Sequence, residues 1–95
     1  MRNDAITHIA STLNSATSYA AVFGPLPKGD ASEKLSHLRK QFAFLARNVY
    51  PDFVRKDEEE EARVTFRLLN DMWERAKRAV AEGTYEVFFP TEVNG

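Results

Sequence analysis

Leu38-Arg39-Lys40-Gln41-Phe42-Ala43-Phe44-Leu45-Ala46-Arg47-Asn48-Val49-Tyr50-Pro51-Asp52 is the stretch whose reading decides the fold. Leu38, Phe42, Leu45 and Val49 fall at alternating steps of four and three, so they share one side of a helix. Leu35 extends the same row backwards, and Asp30 or Ser32 can cap its start. Pro51 stops it, because the residue before a proline is disfavoured in the helical region. The spacing therefore predicts a helix over 31–49. Lys34, Arg39, Lys40 and Arg47 against Glu33 give it a net charge of +3.

Beyond the Tyr50-Pro51-Asp52-Phe53 connection, a second long row begins. Ala62, Phe66, Leu69, Trp73, Ala76 and Val80 repeat the three-and-four spacing. Asp57 can cap this helix, the acidic run 57–61 suits the positive end of its dipole, and Gly83 is placed to end it. Two such rows joined by a short loop should pack antiparallel. Upstream, Ile6, Ile9, Leu13, Ala16, Ala20 and Phe23 predict one helix over 3–23, capped by Asn3 or Asp4 and lying across the hairpin. Gly24-Pro25-Leu26-Pro27-Lys28-Gly29-Asp30 is a stiff loop. Residues 84–95 are β-prone and aromatic around Val87-Phe88-Phe89, and a lone strand has no partner in a helical chain.

The 95 residues allow a single domain. The absence of cysteine excludes a disulfide framework and thiolate metal sites. His8 and His37 are far apart and have no metal-ligand spacing. They read as surface residues, so no metal and no cofactor are expected. A net charge of −1 speaks against nucleic acid as the partner. No apolar run approaches the roughly 20 residues that span a bilayer. A soluble, cytoplasmic protein is expected. No nucleophile–base pair or phosphate loop stands out, so catalysis is not expected. The acidic run reads as helix capping rather than a calcium loop, which needs Gly and alternate ligands.

The chain resembles the J-domain (DnaJ-like) family over about residues 15–85. Leu38, Arg39, Lys40, Phe42, Leu45, Ala46, Pro51 and Asp52 match the family's pattern of an aliphatic, two basics, an aromatic, Leu-Ala and then His-Pro-Asp. Val22-Phe23-Gly24 is similar to its Leu-Gly turn. Ala62, Phe66, Leu69, Asn70 and Trp73 are similar to its third-helix positions, and Lys77-Arg78-Ala79 to that helix's end. The departures are specific. Tyr50 stands in place of the histidine of the tripeptide that, in the family, stimulates ATP hydrolysis by a DnaK-type chaperone. Ala43 and Phe44 occupy positions that are usually basic. The loop before a fourth helix is missing, since residues 73–78 read as uninterrupted helix.

The expectation is an all-α fold: a J-domain-like antiparallel helical hairpin braced by an N-terminal helix, with a short β-prone C-terminal tail. Residues 1–85 form the domain, and 86–95 are an extended tail or the start of a following one. The resemblance implies a divergent co-chaperone-like or adaptor domain, unable to stimulate the chaperone ATPase, with a DnaK-type heat-shock chaperone as a possible protein partner. The other reading is an N-terminal regulatory or assembly domain of a larger multidomain bacterial enzyme. The partner-binding candidates are Tyr50, Pro51, Asp52, Arg39, Lys40, Arg47, Phe44 and Asn70. Asp52 has two candidate roles, an Asx turn or a contact with a partner's arginine. Taken alone, Tyr50-Pro51-Asp52 could be only a helix-ending turn, and the basic helix only a solvated face.

Overall fold

Hydroxyl-rich sequence near the N-terminus divides what the apolar spacing alone reads as one helix. The computed structural model describes residues 4–50, 52 and 54–89. It has α1 over Asp4–Ser15 and a short α2 over Tyr19–Phe23. Ser18 sits between them in extended conformation and accepts a hydrogen bond from the Ala21 N–H at 3.2 Å. Ser15 donates to the Ser11 carbonyl (2.8 Å) and Thr12 to that of His8 (3.0 Å). Hydroxyls that bond locally in this way compete with the regular ladder and favour caps. The single helix over 3–23 is thus corrected to two, with Ile6, Ile9 and Leu13 buried on α1 and Phe23 on α2. Asn3 lies outside the described residues, and Asp4 is the first residue of α1 rather than its cap. Replacing Ser18 by alanine should cost about 1 kcal/mol. In a domain this small that lowers Tm by roughly 4–8 °C, and an unchanged melting curve would exclude the cap.

α3 spans Ala31–Val49, as its spacing predicts. Asp30 caps it, accepting from the Glu33 N–H at 2.9 Å. A 3-10 turn over Lys56–Glu58 leads into α4, Glu59–Glu82. Asp57 lies inside that turn and does not cap α4; Glu58 holds the cap position without a side-chain cap bond. Three acids in the first turn of α4 supply instead the charge that suits a helix N-terminus. At the other end Gly83 is left-handed at φ 75°. The Thr84 N–H reaches the Ala79 carbonyl (2.8 Å) and the Gly83 N–H reaches that of Val80 (3.3 Å). This is a Schellman close, for which glycine has no Cβ penalty.

Ring contacts fix the direction of the hairpin. Phe42 stacks on Trp73 at 4.2 Å, Phe42 is tilted to Phe66 at 6.5 Å, and Tyr50 meets Phe66 edge-on at 5.5 Å. Advancing along α3 therefore means retreating along α4, so the two are antiparallel. Leu38, Val49, Ala62, Leu69, Ala76 and Val80 are buried between the elements. Thr65 and Ala79 are buried too. They widen the apolar arc of α4 beyond one stripe because α4 packs against α1 as well as α3. The brace expected of the N-terminal segment is present, since α1 touches both arms.

The tail is not extended strand among the described residues. Residues 84–89 turn back onto α2. Buried Tyr85 donates through its hydroxyl to the Gly24 carbonyl at 2.7 Å. The Phe89 N–H reaches the Thr17 carbonyl at 2.7 Å, and Phe89 meets the Tyr19 ring edge-on at 4.8 Å. Tyr85 and Phe89 are thus tied to α2 and the turn after it, whereas Val87 and Phe88 are exposed; residues 90–95 lie outside the described residues. Burial, with the nearby Glu86 charge adding to it, pushes the Tyr85 phenol up to about 12. The folded chain keeps this proton where the unfolded chain has released it. Stability from this group is thus complete below pH 10 and is lost as pH rises from 10 through about 12. Chemical denaturation across that window should show a fall that Tyr85→Phe lacks; identical profiles would contradict the buried phenol.

Candidate functional site

α3 carries two unlike faces. The inward one is Leu35, Leu38, Phe42, Leu45 and Val49, buried or packed on the core. On the outward one, Lys40, Phe44 and Arg47 follow at steps of four and three and therefore stand together. Phe44 is 67% exposed, and both flanking cations are exposed. Among the described residues, Arg39, Lys40 and Arg47 enter no ion pair. Asn48 is tied down instead, its Nδ2 donating to the Phe44 carbonyl at 3.0 Å. Arg39 lies one row over, on the line that continues through Ala43 to Tyr50. An aromatic this exposed between two cations is costly to leave in water and is suited to contact with a partner.

Tyr50 ends α3 in extended backbone, at φ −69° and ψ 126°. Its ring leans on Phe66 while remaining 40% exposed, so it is part brace and part surface. Asp52 is exposed. Pro51 lies outside the described residues. Asn70 is exposed on α4, one turn beyond Phe66. The structure thus gathers Lys40, Phe44 and Arg47 on one face, with Arg39 and Tyr50 on its flank, and puts Asn70 on the other arm of the hairpin.

Two features escaped the sequence reading. Val64 and Leu68 are exposed at 51% and 41% on α4. The signal was available, since they lie one turn apart and off the Ala62–Phe66–Leu69 row. The second is the aromatic clasp of Tyr19, Tyr85 and Phe89, with the Arg75 guanidinium 6.0 and 5.7 Å from the Tyr19 and Phe89 rings. No local pattern joins residues this far apart in sequence.

The cavities offer less chemistry than the α3 face. One, of about 200 Å³, is lined by His8, Ile9, Thr12, Ala21, Val22 and Leu45. Its hydroxyl, on Thr12, is already committed to the His8 carbonyl. No helix among the described residues is long and apolar enough to cross a membrane. Comparison with protein-family models, with characterised proteins and with solved structures gave no match.

Proposed function

We propose that this chain is a divergent J-like protein-interaction domain acting in the cytoplasm, a docking module without the family's ATPase trigger. The observation that carries the reading is the outward face of α3, where exposed Phe44 stands between Lys40 and Arg47 with no ion partner for either cation among the described residues. The antiparallel hairpin and its N-terminal brace supply the frame the resemblance implies, and Tyr50 and Asp52 extend the surface at the end of the helix. Docking through cations is electrostatic, so it should weaken as salt shortens the screening length to about 3 Å at 1 M. The test is fluorescence anisotropy with a DnaK-type chaperone held in ATP. Binding should fall with salt and drop at least about tenfold in Phe44→Glu, as expected for a central aromatic anchor. No binding at low salt, or binding indifferent to both changes, overturns this choice of partner.

A further inference from the structure

The α3 face has a counterpart on the other arm of the hairpin. Val64 and Leu68 form an exposed aliphatic pair on α4, and Glu60 and Glu61 stand one turn before Val64. Asp71 follows Leu68 at three residues. Arg67 stands beside the pair, and Arg63 is engaged by Glu60 at 3.2 Å. The first turn of α4 nevertheless remains acidic through Glu59, Glu60 and Glu61. One face is thus an aromatic between cations that enter no ion pair among the described residues, and the other is an aliphatic pair beside three carboxylates and Arg67.

The two cannot meet within one molecule. Phe44 is on the side of α3 away from the core, and Val64 and Leu68 are off the row by which α4 packs on α3. Both nevertheless stand at the same end of the hairpin, Phe44 near the close of α3 and Val64 near the start of α4. A formal net charge of −1 leaves little repulsion between copies.

We infer that the α3 face of one copy docks on the Val64–Leu68 face of a second, giving a head-to-tail contact. It rests on the docking-face reading in that Lys40, Phe44 and Arg47 serve both, so a second copy competes with any other partner for α3. A head-to-tail contact that is not reciprocated leaves one face of each kind open, so it propagates, as a closed ring or an open filament, rather than stopping at a dimer. Patches this small make it weak, and the charges make it sensitive to salt.

Sedimentation velocity on the whole chain tests this. At low salt the average mass should climb with concentration past that of a dimer, and at high salt it should return towards monomer. Phe44→Glu blocks one face, and the double variant Val64→Glu/Leu68→Glu blocks the other. Each alone should be monomeric, while their equimolar mixture should form a one-to-one complex of twice the monomer mass, because each retains the face the other lacks. Circular dichroism checks that each is folded; Arg47→Glu replaces Phe44→Glu if helicity falls. A parent that stays monomeric at every concentration overturns the proposal, as does a mixture that stays monomeric while the parent assembles. Chaperone binding that survives in the parent and is lost in Phe44→Glu would leave the docking-face reading standing in that event.

Discussion

Replacing Trp73 by alanine lowers stability by about 3–5 kcal/mol, the usual cost of deleting a large aromatic from a packed site. The whole stability of a domain this size is only on the order of 5 kcal/mol. The variant should therefore be largely unfolded near its parent's working temperature. Three contacts are lost together. The indole stacks on Phe42 at 4.2 Å with an interplanar angle of 12°, which ties α4 to α3. Lys77 Nζ lies 4.0 Å from the ring centroid and is held there by Glu74 at 3.2 Å. The remaining surface packs on the core cluster. Trp73→Phe should cost clearly less. It keeps a ring against Phe42 and removes an indole N–H that is buried with no acceptor among the described residues. An alanine variant melting within a few degrees of the parent would show that Trp73 does not hold the hairpin.

The hairpin was legible because both of its helices announce themselves twice, by spacing and by punctuation. α3 has Asp30 before it and Pro51 after it; α4 has a row from Ala62 to Val80 and then Gly83. Where apolar spacing stood alone, it misled. Ala16, Ala20 and Phe23 continue the row of α1, yet Ser18 offers its hydroxyl to the Ala21 N–H and starts a new helix. Asp57 was read as a cap from residue type, but the 3-10 turn places Glu58 at the boundary instead. The tail was read by β-propensity. Tertiary contacts overrode it, since the Tyr85 hydroxyl finds the Gly24 carbonyl across sixty-one residues of sequence.

The exposure of the candidate residues on α3 was legible to a similar degree. Arg39, Lys40, Phe44 and Arg47 are exposed as the helical repeat requires, and Tyr50 follows the last residue of α3. What the repeat could not give is how Tyr50 divides its ring between Phe66 and solvent. Val64 and Leu68 fall outside the buried row of α4, so the three-and-four spacing does not mark them.

Under the proposed J-like reading, the tyrosine that stands where the resembled family has its histidine carries the largest functional consequence. An imidazole offers two ring nitrogens and can take a proton near neutral pH, whereas a phenol offers one hydroxyl. Ala43 and Phe44 also leave the outward face of α3 less positive than the resemblance implies. Single-turnover ATP hydrolysis by a DnaK-type chaperone is the most direct measurement, made with this domain, with its Tyr50→His variant and with a competent J-domain. No acceleration is expected from the parent chain at any concentration. Acceleration by Tyr50→His alone would place the defect in the missing side chain, and silence from both would place it in the altered face at Ala43 and Phe44. Acceleration by the parent itself would contradict the reading of this chain as a docking module that lacks the trigger.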